Sequence, residues 1–218
     1  MDSAARPART QTQSWRISGR SDSVLERLYE RLRRRVNQRL VGFLYEQIRG
    51  PRACADRVNV LEAGSGTAYA TSLFSSHGEQ RECTCVDIDE AALREARKRD
   101  PGIRAVVGDI CRMPFADETF LLVFNSSTVE HLDDPSLAVA EMRRVCARHG
   151  RVFVGVPYRF GPLAFQPLIR NSRLGIWLGP VFSRFTLDRL LAGVGLRPIT
   201  HIRYFWRFFV GAVADKGS

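Results

Sequence analysis

The first feature that could do chemistry is a loop of small residues. An apolar run, Val58 to Leu61, leads into Glu62-Ala63-Gly64-Ser65-Gly66. Gly64 and Gly66 let the backbone approach a ligand closely, and a helix that starts behind them offers unpaired N–H groups. A dinucleotide loop would need a third glycine where Tyr69 stands. With the carboxylate of Glu62 ahead of it, the loop fits a ligand with an ammonium group better than a pyrophosphate.

Acidic residues also follow the next two strand-like runs. Asp87 ends the run Cys83 to Val86, and Asp109 comes shortly after Ala105 to Val107. A carboxylate at the end of a second strand can accept both hydroxyls of a ribose, and Ile88 beside it can pack on a purine. Asp109 can accept from an adenine amine; a helix cap or an Asx turn explains it equally well.

Three further polar residues suggest other roles. Asp89 stands one step beyond the ribose position, where a carboxylate more often caps the next helix. Glu130-His131 follows the fourth strand-like run. The histidine can act as a general base near neutral pH, whereas the simpler alternative is that the pair caps a short helix.

The elements that must position these residues alternate between strands and helices. Five short apolar runs between Val58 and Val156 are separated by helical stretches, which predicts βαβ units and a parallel sheet covered on both faces. Ile199 to Trp206 and Phe208 to Ala214 are separated only by Arg207, so they are predicted to form an antiparallel hairpin. The sequence thus predicts an α/β, doubly wound, mostly parallel seven-stranded sheet with an antiparallel C-terminal hairpin.

The ordered strand-end motifs resemble the class I S-adenosylmethionine-dependent methyltransferases, in particular the ubiquinone/menaquinone methyltransferase branch. The matching segments are VLEAGSGTA from Val60, CVDIDEAAL from Cys85, GDICRMPFADETF from Gly108, STVEHLDDP from Ser127 and RVCARHGRVFVGVP from Arg144. The resemblance covers about half of the chain. It departs from the family pattern at Leu121 and in the turn 147–150, which keeps only its final glycine.

The resemblance implies a Rossmann-like fold, S-adenosyl-L-methionine as the cofactor, and a role for each strand end. Gly64, Ser65 and Gly66, with Glu62 and Asn125, are expected around the methionine part. Asp87 is expected to hold the ribose, Ile88 and Ile110 to sandwich adenine, and Asp109 to read its amine. Glu130 and His131 are expected to face the methyl acceptor as the catalytic pair. Relatives that bind a metal here use E-x-x-E-H; Ser127 replaces the first ligand, so no metal is predicted.

The remaining segments are expected to complete a single domain over 21–218. Residues 21–50 carry an apolar helical stripe and are predicted to cover the site, and residues 158–182 are predicted to form a lid or acceptor-binding insertion. Large apolar side chains there favour a lipophilic acceptor, although they would also suit the core of the lid itself. Residues 1–20 have a basic composition without an apolar core, which predicts a flexible tail and no export signal.

Charge and cysteine content restrict the function classes. The formal net charge is +10 and is concentrated at the two ends, where nearly all basic residues are arginine. A face for RNA, acidic lipid or another anion is therefore an alternative, though a charge run is more often a solvated surface. Five cysteines without paired C-x-x-C spacing indicate a reducing cytoplasm. No apolar stretch approaches the length of a membrane span.

Three functions are compatible with these features of the sequence. The first is methyl transfer to a small acceptor that is lipophilic or resembles a natural product. The second is RNA or protein methylation that uses the Arg-rich ends, although Asn125-Ser126-Ser127-Thr128 replaces the N-P-P-Y motif common in exocyclic-amine methylation. The third is a regulator that binds the cofactor without turnover. The sequence does not identify the acceptor or the oligomeric state.

Overall fold

The structure, a computed structural model, describes residues 24–48, 58–76, 81–161 and 180–216. The strands are β1 (Val58–Ala63), β2 (Arg81–Asp87), β3 (Arg104–Val107), β4 (Phe120–Ser126), β5 (Cys146–Pro157), β6 (Arg197–Tyr204) and β7 (Phe209–Asp215). The helices are α1 (Val24–Ile48), α2 (Tyr69–Ser75), α3 (Glu90–Arg99), α4 (Pro135–Val145) and α5 (Arg184–Gly193), with a short 3₁₀ helix at Val129–His131. No described helix has the length and apolar character needed to cross a bilayer.

The seven strands form one sheet in the order β3-β2-β1-β4-β5-β7-β6. The pairs from β3 to β5 are parallel, whereas β7 is antiparallel to both β5 and β6. Because β1 lies between β2 and β4, the chain crosses over in opposite directions on its two sides. The carboxyl ends of β1 and β4 therefore flank the switch point at which such sheets bind ligands. The predicted seven-stranded fold with its antiparallel hairpin is confirmed.

The hairpin differs from its prediction in the length of its turn. The sequence predicts a single residue, Arg207, between the two strands, but residues 205–208 form the turn. Phe205, Trp206 and Arg207 have positive φ angles of 51°, 46° and 66°. Such angles are uncommon outside glycine, and the apolar composition of the run carries no turn signal.

The connection into β5 also differs from its prediction. The sequence predicts a helix that continues to Ala147 and a turn over 147–150. Instead α4 ends at Val145, and β5 starts at Cys146 with an irregular register against β4 between Phe120 and Leu122. Gly150 fits this crowded start because a Cβ there would lie 2.7 Å from the Cys146 sulfur and 2.8 Å from the Leu121 carbonyl oxygen.

One long helix, α1, packs against α2 and β5 on one side of the sheet. Its buried residues Leu40, Val41, Leu44 and Ile48 join a core cluster with α2 and β5. The predicted helix in 21–50 is thus present, while its role as a cover for the site stays a prediction. The candidate tail 1–20 and residues 162–179 of the candidate lid lie outside the described residues.

Candidate functional site

The glycine loop leaves β1 and packs against two neighbouring strand ends. The N–H groups of Gly64 and Ser65 donate to the Val86 carbonyl at the end of β2, at 2.8 and 3.2 Å. Gly64 has a φ of +70°, and a Cβ on it would lie 2.5 to 2.8 Å from the side chain of Thr128. Glycine is therefore required at this position by both backbone angle and close approach.

Glu62, at the end of β1, connects this strand to the helix α2 that follows the glycine loop. Its carboxylate is 6% exposed, and its Oε2 accepts from the N–H of Thr71 at 2.9 Å and from the Thr71 hydroxyl. Thr71 lies in the first turn of α2, where an anion is favoured by the helix dipole. The acid thus holds the helix that follows the loop, and a contact with a ligand ammonium group stays a prediction.

Asp87 joins the glycine loop to the end of β2. Its Oδ2 accepts from the Gly66 N–H at 2.6 Å, and its Oδ1 accepts from the Asp89 N–H at 2.8 Å. Each carboxylate oxygen has two lone pairs, so both can still accept from a ligand hydroxyl. Asp89 instead accepts from the N–H groups of Ala91 and Ala92 as the N-cap of α3, which confirms the capping prediction for that residue.

Ser65 adds a buried hydroxyl to the loop. Its Oγ has no nitrogen or oxygen partner among the described residues, and the thiol of Cys85 lies against it. Burial, followed by the nearby charge of Glu62, raises the pKa of Cys85 to about 12, so this thiol stays neutral. A buried hydroxyl of this kind can bond a ligand without first breaking a hydrogen bond to another protein oxygen or nitrogen.

The predicted adenine residues occupy different environments. Ile88 is 49% exposed next to Asp87, whereas Ile110 is 6% exposed and belongs to the core. Oδ1 of Asp109 accepts from the Cys111 N–H at 2.8 Å, which is the Asx turn that the sequence also allowed. This turn occupies one carboxylate oxygen, so it is compatible with an adenine contact through the other. Of the two isoleucines, Ile88 presents the large apolar surface to solvent.

Asn125 is fully buried between β1 and the 3₁₀ helix. Its amide nitrogen donates to the Ala63 carbonyl at 2.6 Å, and its carbonyl oxygen accepts from the Val129 N–H at 3.4 Å. The side chain therefore fixes the end of β1 relative to the 3₁₀ helix. The structure shows this bracing role, and the expected proximity to methionine stays a prediction.

Glu130 and His131 lie on the 3₁₀ helix that follows β4. Glu130 is 2% exposed; its Oε1 accepts from the Ser127 hydroxyl at 2.7 Å, and its Oε2 is buried without a partner among the described residues. Burial raises the pKa of Glu130 to about 7. The half-buried His131 places Nε2 3.7 Å from Oε1 of Glu130, and burial lowers the pKa of its imidazole.

Several polar residues that hold the site together carry no local signal in the sequence. Thr128 donates from its hydroxyl to the Gly64 carbonyl at 2.8 Å, which places the start of the 3₁₀ helix on the glycine loop. The Tyr204 hydroxyl lies 2.8 Å from the Ser126 hydroxyl. These partners are 64 and 78 residues apart, so no local spacing could reveal them. In the described ranges no group of three or more His, Cys, Asp or Glu residues could hold a metal ion.

Alanine at Gly64 and at Gly66 should have different consequences. Gly66 has a φ of +51°, but a Cβ there meets nothing within 4 Å, whereas at Gly64 it collides with Thr128. We expect Gly66→Ala to cost about 1–2 kcal/mol of backbone strain and to weaken S-adenosylhomocysteine binding about tenfold. Gly64→Ala should lower the free energy of unfolding further, because the collision with Thr128 adds about 1–3 kcal/mol to a similar backbone strain. Chemical denaturation and calorimetry measure the two effects; unchanged affinity in Gly66→Ala would remove the loop from the binding site.

The amino-acid sequence is similar to those of known methyltransferases. A family model described as "Methyltransferase domain" matches residues 61–154. A malonyl-[acyl-carrier protein] O-methyltransferase of Halorhodospira halophila is 33% identical over 112 residues, which are 50% of this chain and 37% of that protein. A demethylmenaquinone methyltransferase of Thermobifida fusca is 32% identical over 125 residues, which are 55% of this chain and 51% of that protein. The chain thus spans only a third to a half of the length of these relatives.

Solved structures agree on the fold. A Thermotoga maritima structure described as a SAM-dependent methyltransferase, possible histamine N-methyltransferase, superimposes with a TM-score of 0.65 at 21% identity, covering 88% of this chain and 94% of that one. At this identity the likeness concerns the fold alone. The family model, the relatives and the fold together imply S-adenosyl-L-methionine as the cofactor. Residues 61–154 thus match a methyltransferase-domain family model, and the similarity in sequence and fold supports a class I S-adenosylmethionine-dependent methyltransferase.

Proposed function

We propose that this chain transfers a methyl group from S-adenosyl-L-methionine to a small lipophilic acceptor. One observation carries the proposal: the glycine loop and the 3₁₀ helix that bears Glu130 and His131 are in contact through Thr128. The residues suited to a cofactor and those suited to an acceptor therefore share one edge of the sheet. Methyl transfer needs the two reactants held in line and close together, which this arrangement can provide.

The cofactor half of the site has polar groups of the required chemistry. Asp87 would accept from ribose hydroxyls, Ser65 would offer its buried hydroxyl, and Ile88 would pack on adenine. The space beside Gly66, where a Cβ would touch no other residue, supports close approach of a ligand to the backbone. When bound, the cofactor supplies an electrophilic methyl group. The protein contributes orientation and exclusion of water.

The acceptor half is proposed to centre on Glu130 and His131. Burial lowers the pKa of His131, so its imidazole is neutral near neutral pH and can accept a proton from an acceptor hydroxyl or ammonium group. The buried Oε2 of Glu130 can accept a hydrogen bond from such a group, which would satisfy an oxygen otherwise left without a partner among the described residues. The simpler alternative is that Glu130 and His131 cap the short helix before Asp133-Asp134-Pro135.

Two observations support a lipophilic acceptor. Phe160, just beyond β5, is 67% exposed at the edge that carries the site, and it belongs to the candidate lid 158–182. The T. fusca relative is named a demethylmenaquinone methyltransferase. We place the reaction in the cytoplasm because Cys83, Cys85, Cys111 and Cys146 are free thiols.

Isotope transfer can test the proposed reaction. The protein is incubated with methyl-labelled S-adenosylmethionine and separate lipid, polar, RNA and protein fractions of an extract. Label in a lipid-fraction compound, lost in His131→Ala while S-adenosylhomocysteine affinity is retained, would support both the acceptor class and the role of His131. Label only in RNA or protein would favour the alternative that uses the Arg-rich ends. Ligand binding without turnover in any fraction would favour a regulator.

Ligand selectivity provides a test that needs no acceptor. Because Tyr69 replaces the third glycine of a dinucleotide loop, S-adenosylhomocysteine should raise the melting temperature, and NAD or NADP should not. At about 100 times its dissociation constant a ligand stabilises the fold by about 2.7 kcal/mol. A shift with NAD and none with S-adenosylhomocysteine, measured by thermal unfolding, would contradict the proposed function.

A further inference from the structure

The tip of the C-terminal hairpin and the first residues of the candidate lid form one surface. We define the hairpin-tip surface as residues 158–161 and 203–208. The Tyr158 N–H donates to the Phe208 carbonyl at 2.7 Å, and Gly161 packs so closely on the Arg207 carbonyl that a Cβ would overlap it. The two segments are therefore one packed unit. It lies at the carboxyl edge of the sheet, since β5 ends at Pro157 beside the start of β7.

Two large aromatic side chains project from this unit. Phe160 is 67% exposed and Trp206 is 61% exposed. The ring of Phe160 contacts only its neighbour Tyr158 among the aromatic pairs of the described residues, with ring centroids 5.8 Å apart. Trp206 lies at the centre of the three successive left-handed residues of the turn. The turn thus holds Trp206 in an unfavourable backbone conformation although most of its ring is exposed, so burial of the ring does not compensate for the strain.

The hairpin-tip surface is positively charged, and the segments that form it contain no acidic residues. Arg159, Arg203 and Arg207 are exposed, and residues 157–161 and 203–210 contain no Asp or Glu. Residues 151–218 include only two acids, Asp188 and Asp215. His201 bonds Asp188 and Arg197 bonds Asp215, both further along the hairpin from its tip. The acidic groups of this region are thus engaged elsewhere.

We propose that the hairpin-tip surface binds anionic lipid bilayers. Trp206 and Phe160 would enter the headgroup region of the bilayer, where aromatic side chains are favoured. The arginines would face the lipid phosphates. The rings project individually from a turn and a short loop, which suits insertion into a fluid interface better than a matched protein surface. Binding there would bring the carboxyl edge of the sheet close to lipophilic molecules. The proposal does not depend on methyl transfer, because it is tested without cofactor.

Vesicle sedimentation tests the proposal directly. The full chain is mixed with phosphatidylcholine vesicles that contain or lack phosphatidylglycerol, and binding should occur with the anionic vesicles and decrease as salt rises. Trp206→Asn combined with Phe160→Ser should weaken binding at least about tenfold, since two apolar rings lose their contact with the interface. Asn is chosen at position 206 because it tolerates a positive φ. Arg159→Gln combined with Arg207→Gln should also weaken binding about tenfold.

Matched controls decide whether the tip itself is responsible. Ile199→Ser changes a 44% exposed apolar residue on the same hairpin away from the tip, and Arg104→Gln removes an exposed arginine at the opposite edge of the sheet. Both should bind like the unchanged protein, and all variants should keep its circular dichroism and melting temperature. Failure to sediment with anionic vesicles, equal losses in the controls, or retained binding in the Trp206 and Phe160 variant would overturn the proposal. Binding to a small acidic protein but not to vesicles would also overturn it.

Discussion

Replacing Asp87 by alanine is expected to weaken S-adenosylhomocysteine binding by about 10- to 150-fold. Each charge-assisted bond to a ribose hydroxyl contributes about 1.5–3 kcal/mol, and alanine removes the acceptor. The substitution also removes the acceptor of the Gly66 N–H at 2.6 Å, so the glycine loop should loosen at the same time. Calorimetric titration measures the affinity, and chemical denaturation measures the accompanying loss of stability.

Asp89→Ala is the matched control for this experiment. Asp89 is two residues away, but its side chain caps α3 through the N–H groups of Ala91 and Ala92. Loss of such a cap costs about 1 kcal/mol of stability, and ligand affinity should be unchanged. The reverse result, with binding lost in Asp89→Ala and kept in Asp87→Ala, would place the ribose site two residues from its proposed position.

The sheet and the positions of its strand ends could be predicted because they depend on local patterns. Short apolar runs between helical stretches specify parallel strands, and both Asp87 and the glycine loop follow such runs directly. The cap at Asp89 likewise depends only on the two N–H groups that follow it. Reliance on local patterns also explains why the length of the hairpin turn was predicted wrongly. The run around Arg207 looks like continuous strand because its turn contains no Gly, Pro, Asn or Asp.

The contacts that assemble the site could not be read from spacing. Thr128 reaches Gly64, and Asn125 reaches Ala63, across more than sixty residues of chain. Their pairing follows from β1 and β4 being neighbours in the sheet, which the strand order determines and a single sequence does not state. Burial is equally nonlocal. In the sequence Glu130 fits either a helix-capping acid or a catalytic group, and only packing shows that its carboxyl group is enclosed.

Glu130→Gln is expected to reduce the loss of folding stability at high pH. Burial raises the pKa of Glu130 from 4.5 to about 7, so the folded protein keeps a proton that the unfolded chain has released. The stability from this neutral carboxyl is complete below the unfolded pKa and is lost as pH rises through about 7. Glutamine cannot ionise. Between about pH 4.5 and about pH 8 the variant should therefore gain roughly 3 kcal/mol relative to the unchanged protein, at 1.36 kcal/mol per pKa unit.

Urea denaturation at a series of pH values measures this difference, and Glu141→Gln provides a control of opposite sign. Hydrogen bonds from Arg144 lower the pKa of Glu141, so its stabilising effect is present above the unfolded pKa and is lost as pH falls through the lower folded value. Parallel curves for Glu130→Gln and the unchanged protein would mean that the Glu130 carboxylate is solvated or paired in the fold. A difference that grows with pH would mean that its ionisation is costly, and a bound group donating to Oε2 would lower that cost. The pH dependence of stability would then report on the acceptor half of the site without any knowledge of the acceptor.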